Sequence, residues 1–566
     1  MKNEDFLRNL EKIVGKSSLL VGRRATRRYR IGYRYGEGNV LAVAMPRTLV
    51  ELWRTAELCA RERRIIILQA ANTGLTGGST PFGDYDRDVV VISTTKLNRI
   101  IPILDGRQVV CFSGARLNVL EKKLEQFNRE PHSVIGSSCI GASVVGGVCN
   151  NSGGALVTRG PAYTECSLYA RVELDGRLAL VNNLGFNATG SPEQILAALE
   201  TDEIDYDRFF EVDSACSARD YVEKVRDTNS ATPARYNADP EKLFDASGCA
   251  GKVIVFAVRL DTFPKPARTK VFFIGTNSTA ALTAMRRKIL EDFKRLPDSA
   301  EYMHRTAFNI AECYGRDMFA AISLISFDKL PLFFSAKNSI DSFFSEIGMA
   351  QFHLTDRILQ LIGSILPNQV PQEVGKLRDL YEHYLVMKVS DEAIDECESY
   401  LADCATSSEL QYLGCSPSQG KKVMLHRFVT AGAAMRYAAV HSDRTNGVTA
   451  IDTALPRNAW QWVEELPEAL KNQTEKILYY GHFLCHVFHQ DYILKKGVDS
   501  HAFEQEVLRL LDARGAKYPA EHNVGHLYKA EETLRSFYLS LDPSNTMNPG
   551  IGCTPKCFGW NRESGV

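Results

Sequence analysis

Short apolar runs, each cut off by a helix cap, a proline or a string of small residues, set the rhythm of the first half of the chain. Residues 41–44 are apolar and stop before Pro46, and Thr48 followed three residues on by Glu51 forms a capping signal that predicts a helix to about Arg63. The run 65–68 predicts a buried strand, and the chain passes directly into residues 69–79, a loop of small and hydroxyl side chains at a strand end. Apolar runs at 89–92 and 109–112 predict strands and 117–127 a helix, continuing an alternating pattern. A second small-residue loop spans 136–147 and continues through Asn150, Asn151, Ser152, Gly153 and Gly154. Residues 183–230 are polar and acidic and read as surface connections. By contrast, 253–258 is unbroken Val, Ile, Phe and Ala, a strand buried on both faces, and Pro264 and Pro266 mark a domain boundary soon after.

Beyond that boundary, 271–274 and 384–389 predict strands of a second sheet. The stretch between them differs in character, with aromatic doublets at Phe333-Phe334 and Phe343-Phe344, and with Ile358, Leu361, Ile362, Ile365 and Leu366 at helical spacing between prolines. Two readings stand, a membrane-surface insertion or an ordinary helical subdomain; acidic and basic residues balance here, so the cationic face of a typical interfacial helix is missing. Residues 1–10 read as an amphipathic helix without the apolar core of a signal peptide, which predicts a protein that is not exported. No apolar stretch reaches the roughly 20 residues of a spanning helix, so membrane contact has to be peripheral.

At 566 residues and 45% hydrophobic, the chain has more apolar material than one core uses, and two or three domains are expected. Its 67 basic and 68 acidic side chains provide no field to concentrate it on nucleic acid, which is excluded as a partner. Fourteen cysteines without a paired CxxC framework suggest a reducing setting, and Cys553 and Cys557 read as thiols in a loose tail.

Neither small-residue loop is a GxGxxG fingerprint or a Walker loop. Such loops instead bring backbone N–H groups and small hydroxyls close to a pyrophosphate. The succession strand, capped helix, strand and Asn72, Thr73, Gly74, Leu75, Thr76, Gly77, Gly78, Ser79 resembles the flavin-binding domain of the vanillyl-alcohol oxidase type. The stretches 129–136, 159–165 and 519–526 narrow the resemblance to the bacterial quinone-dependent D-lactate dehydrogenases, over nearly the whole chain. That resemblance implies an α+β protein: a two-subdomain FAD-binding domain (1–266 with 515–566, the final segment folding back), an α/β cap with an antiparallel sheet (267–305 with 380–514), and a helical insertion (306–379). It implies non-covalent FAD held by Ala70, Ala71, Asn72, Thr73, Gly74, Gly78, Ser79, Gly136, Ser143, Gly153 and Val255. It also implies oxidation of D-lactate to pyruvate, with electrons passed to a membrane quinone by a peripheral protein on the cytoplasmic face of the inner membrane.

The segment 481–489 is histidine-rich, and on a helix His482, His486 and His489 share a face. Read alone, this is a structural histidine stripe. A Gly-His followed seven residues later by His is also similar to the paired ligands of the wider D-2-hydroxyacid dehydrogenase group, completed there by a Glu-His-x-x-Gly element that is Glu521 to Gly525 here. That gives His482, His489 and Glu521 as ligands of a divalent metal able to take a hydroxyacid's carboxylate and hydroxyl, and His522 as the base by resemblance; His486 has no assigned role. Arg427 and Arg436 are candidate forks for the substrate carboxylate. The competing functions are a dehydrogenase of another D-2-hydroxyacid such as D-2-hydroxyglutarate, a flavin-free metallohydrolase, and a binding module with a vestigial flavin fold.

Overall fold

The computed structural model describes residues 2–133, 141–201, 205, 208–324, 353–406 and 409–560. Gly136 and the doublets at Phe333-Phe334 and Phe343-Phe344 lie outside the described residues.

Two subdomains precede the cap. In the first, Leu19–Val21 runs antiparallel to Ala42–Ala44, which is followed by the parallel strands Val89–Ser93 and Ile65–Gln69. The helix Leu49–Arg61 starts where its cap predicts, with Thr48 Oγ1 accepting from Glu51 N at 3.0 Å, and buries Leu49, Leu52, Trp53 and Ala56. In the return bond of the cap the Arg47 N–H donates to Glu51 Oε2 at 2.7 Å, one residue earlier than a standard capping box places it. The second subdomain is an antiparallel sheet in the order Ile100–Ile103, Gln108–Phe112, Ile254–Asp261, Ser167–Val172, Leu178–Asn182. Its central strand is buried on both faces, as the apolar run predicts, and a bulge falls between Val255 and Ala257.

Residues 183–230 are not merely surface connections. Leu184, Phe186, Leu196, Leu199, Tyr221 and Val225 are buried, and the segment includes the helices Pro192–Glu200 and Tyr221–Arg226. The acidic residues mask a sparse apolar set, of which Leu184, Phe186, Leu196 and Leu199 pack with the two subdomains and Tyr221 and Val225 with the cap. Residues 546–560 are not a loose tail either. Ile66 N donates to Thr546 O and Asn548 N to Ile66 O, so the C-terminal segment adds itself to the edge of the first sheet, and Trp560 Nε1 donates to Asp542 O.

The cap is built on a seven-stranded antiparallel sheet ordered Leu410–Cys415, Thr269–Thr276, His383–Ser390, Ser299–His304, Thr474–His482, Val487–Lys495, Thr445–Ala454. Period-two alternation sends Phe272, Tyr302, Leu385 and Tyr479 to one face, under the helices Thr279–Asp292, Ala393–Ala405 and Ser500–Ala513. Phe273, Met303, Tyr384 and Tyr480 point to the other, under Arg305–Tyr314, Pro417–Phe428 and Thr430–Val440. Both faces are dry, so any polar group on this sheet requires a partner.

Candidate active site

The segment 481–489 forms a hairpin, not a helix: the strand ending at His482 turns through Phe483–Cys485 and returns as Val487–Lys495. Helical spacing misleads here because the few residues between the histidines are all apolar, and His486, at φ 53, turns the chain back. The hairpin register still unites two of the histidines. Tyr480 lies opposite His489, and His482 is two residues from Tyr480 on the same strand, so all three share a face. His486 is left aside, buried and bonded to Pro456 O at 3.2 Å.

The neighbouring strands add carboxylates to that face, Glu301 opposite His482 and Asp452 opposite His489. Glu301 Oε1 is 2.6 Å from His482 Nδ1, and its Oε2 pairs with Arg427 Nη2 at 2.9 Å. Arg427 lies over the Tyr480 ring at 4.5 Å. Glu521 arrives from the C-terminal segment, positioned by Asp452, whose Oδ2 accepts its backbone N–H at 2.7 Å. Its Oε2 is 3.2 Å from His482 Nε2 and 3.8 Å from His489 Nε2, and its Oε1 accepts from the buried Arg235 at 2.8 Å. The ligand atoms of His482, His489 and Glu521 all lie within 4.8 Å of one another.

Charge is tightly arranged in this pocket. Burial opposes the His482 imidazolium, but Glu301 and Glu521 outweigh it and hold its pKa up at about 10. Burial takes His489 the other way, well below the ordinary imidazole value, so it is a neutral lone-pair donor. Burial also works against the Glu521 carboxylate, yet His482 and Arg235 keep it ionised. Arg427 Nε, and Arg235 Nε and Nη1, are buried donors without a protein partner among the described residues. Orphaned guanidinium N–H groups beside a carboxylate and two imidazoles mark a place built for an anionic or metal-bound guest.

The small-residue loops come together beside this cluster. None of the backbone N–H groups of residues 70–79 donates to a protein acceptor among the described residues. Asn72 holds the first loop open, at φ 54, giving its side-chain amide to Ile31 O and accepting from Ser79 and Thr80. At Gly74 an added Cβ would meet nothing within 4 Å. In the second loop Ser143 caps the helix Val144–Cys149, and Gly153 abuts Glu521, where a Cβ would lie 2.5 Å from Oε1. Asn523 joins the two loops: its carbonyl accepts from Thr76 Oγ1 at 2.7 Å and its amide donates to Asn150 Oδ1 at 2.6 Å. A row of free backbone donors with no side chains in the way fits a pyrophosphate.

Of the sequence candidates, the structure brings His482, His489, Glu521 and Arg427 together, with His522 next in the chain and Gly153 in contact. Ala70, Ala71, Asn72, Thr73, Gly74, Gly78 and Ser79 line the first loop, and Val255 begins the bulge in the central strand. Arg436 does not join the cluster; its guanidinium is taken up by Asp317 and Asp356, each at 3.0 Å, among the helices of the insertion. This corrects its candidacy as a carboxylate fork. Sequence reasoning missed Glu301 and Arg235. For Glu301 the available signal was a lone carboxylate amid the strand residues 299–304; for Arg235 there was none.

One loop of free backbone donors, a second small-residue loop beside it, a C-terminal segment that folds back and an antiparallel cap sheet give the fold of an FAD-binding flavoprotein of the vanillyl-alcohol oxidase type. Comparison with known proteins agrees: an FAD binding domain profile matches residues 40–177, and p-cresol methylhydroxylase superposes with a TM-score of 0.57 at 11% identity, over 97% of this chain and 96% of that one. A second profile, D-lactate dehydrogenase, membrane binding, matches residues 271–560. The quinone-dependent D-lactate dehydrogenase of Escherichia coli (strain K12) is 52% identical over 99% of this chain and 98% of its own length, and that of Haemophilus influenzae 48% identical over 99% and 100%. The chain belongs to the family of quinone-dependent D-lactate dehydrogenases.

Proposed function

We propose that this site oxidises D-lactate to pyruvate with His482, His489 and Glu521 holding a divalent metal and His522 taking the hydroxyl proton. The observation that supports the metal is the carboxylate behind the ligand. His482 turns Nε2 toward Glu521 and Nδ1 toward Glu301 at 2.6 Å, so a metal that displaced the Nε2 proton would meet an imidazole whose Nδ1 proton and orientation the outer carboxylate fixes. Two imidazoles and one carboxylate leave coordination positions for a hydroxyacid's carboxylate and hydroxyl. When bound, FAD supplies the hydride acceptor and the metal a Lewis acid.

The chain's own groups do the rest. Arg427, fixed by Glu301 and Tyr480 and with its Nε unpartnered, would hold the substrate carboxylate. The His522 imidazole has no hydrogen-bond partner among the described residues, which leaves it to accept the proton as the Cα hydrogen departs. With FAD bound, the two electrons taken from D-lactate would pass on to quinone.

Membrane contact is assigned to the helix Leu354–Ile365, whose Ile358, Leu361, Ile362 and Ile365 are 54, 69, 45 and 80% exposed. Among the described residues no helix is long and apolar enough to cross a membrane. Buried free thiols such as Cys59, Cys111 and Cys397 suit the cytoplasmic face of the inner membrane.

The test is anaerobic bleaching of the yellow protein by a panel of D- and L-2-hydroxyacids, with metal analysis of the same sample. D-lactate should bleach it fastest, and chelation should slow bleaching. Full activity without metal would refute the metal, and preference for D-2-hydroxyglutarate would refute the substrate. Acid precipitation should release the colour into the supernatant, as non-covalent FAD requires.

A further inference from the structure

The second subdomain carries a cleft of about 580 Å³ that has no part in the site described above. It opens at the far end of the central strand Ile254–Asp261. Asp261 lies on its wall, and Val255, the residue assigned to the flavin, is at the opposite end of the strand, about 20 Å away at the rise of extended chain. Five arginines line the cleft: Arg107, Arg129, Arg159, Arg219 and Arg259. Against them stand Asp261 and Glu211 on the wall and Glu130 behind Arg159, which leaves two positive charges in excess.

Most of these guanidinium groups are fixed in advance. Arg129 gives Nε and Nη2 to Thr262 Oγ1 and O, both at 2.6 Å. Arg159 donates to Pro131 O at 2.6 Å, pairs with Glu130, and lies 4.3 Å from the centre of the Phe263 ring. Arg259 is buried and takes the Gln108 amide oxygen at 2.7 Å and Phe210 O at 2.9 Å. The Asp261 carboxylate is shared: it accepts from Gln108 Nε2 at 2.8 Å and Ser217 Oγ at 2.6 Å and lies 3.7 Å from Arg219 Nε. Arg107 spends only Nε, on Leu104 O, and neither of its Nη groups has a partner among the described residues. Burial, and then the charge of Arg107, push the pKa of Arg129 down against the smaller pull of Asp261.

We propose that this cleft is a binding site for a small phosphate monoester. Planar guanidinium forks match the oxygens of a phosphate dianion, its charge cancels the excess, and the volume admits an organic substituent as well as the phosphate. The site lies at the passage between domains: Arg129–Glu130 pairs with Phe263–Pro264, from which the chain enters the cap sheet at Thr269. An occupant therefore braces the junction of the flavin domain with the cap.

The test uses FAD-loaded holoenzyme, so that the flavin's own phosphate loops are filled, and phenyl phosphate as probe in calorimetry and thermal unfolding. One equivalent should bind with a Kd below about 1 mM and raise the Tm. The double variant Arg107→Gln/Arg219→Gln changes two exposed side chains that carry none of the core, and it should bind at least about tenfold more weakly. Absence of saturable binding, or a double variant that binds as tightly as the parent, would overturn the site. Equal loss of binding in both proteins on adding sodium chloride, or malonate binding as tightly as phenyl phosphate, would overturn the phosphate assignment.

Discussion

Exchanging Glu301 for glutamine probes the outer carboxylate directly. The side chain is 3% exposed and sits between two cations, with His482 Nδ1 at 2.6 Å and Arg427 Nη2 at 2.9 Å. Glutamine keeps the volume and a carbonyl acceptor for His482, but it presents an amide donor to a guanidinium that also donates. Breaking a buried pair by removing one partner costs about 3–5 kcal/mol, and the retained hydrogen bond offsets about 1 kcal/mol. A net loss of about 2–4 kcal/mol in urea unfolding is expected. Loss of the outer carboxylate should weaken metal binding by about 10- to 100-fold, or about 1.4–2.7 kcal/mol. Competitive metal titration reads the affinity, and anaerobic stopped-flow reduction by D-lactate reads the consequence, which excess metal should largely rescue. The double variant Glu301→Gln/Arg427→Met removes the stranded charge and should recover stability without recovering metal affinity. A Glu301→Gln protein that loses stability yet binds metal within about twofold of the parent would show that Glu301 serves only Arg427, and the argument from the outer shell would fail.

Gly74→Val should fold with its cap intact, because nothing in the protein lies within 4 Å of the new Cβ, yet lose flavin absorbance; stoichiometric FAD would count against the loop. His522→Ala should retain FAD and metal while flavin reduction slows by about 10² to 10⁴-fold, and an unchanged rate would remove it as base. Burial pushes His132 and His426 down to about 4, so each binds its proton more readily in the unfolded chain. Their contribution is complete above about pH 6.5 and is withdrawn as pH falls toward 4, by at most about 3 kcal/mol each; the Tm should drop over that window, less steeply in His426→Gln, and an identical slope in that variant would contradict the assignment. Serine at Ile358, Leu361, Ile362 and Ile365 together removes on the order of 1 kcal/mol per residue from lipid contact, and vesicle sedimentation that does not change would place the contact elsewhere.

The readable parts of the sequence were those whose cause is local. The cap at Thr48, the apolar run that becomes Ile254–Asp261, and the side-chain-poor loop at 70–79 each carry their reason within a few residues. The three candidate ligands do lie together, but on a different scaffold from the helix that their spacing suggests, because His482 and His489 meet through strand register, which involves Tyr480 across the hairpin and not the helical period. Glu301 and Arg235 were illegible for a related reason. Their meaning depends on partners 181 and 286 residues away, His482 and Glu521, and an isolated charge in a sequence gives no sign of whether it is solvated or buried. Arg436 shows the converse error: near Arg427 in sequence, it turns to Asp317 and Asp356 instead.

The strap from Glu521 to Gly525 belongs to two sites at once. Glu521 closes the histidine cluster while leaning on Gly153; Asn523 ties together Asn150 and Thr76; and a Cβ on Gly525 would strike the Thr76 carbonyl at 2.1 Å. With no slack between these contacts, a guest in either place sets the position of the other's wall. By reciprocity, whatever factor the seated cofactor adds to affinity at the cluster, a guest at the cluster must add to retention of the cofactor. A cap expressed without the last fifty or so residues would be a well-packed sheet with half a binding site.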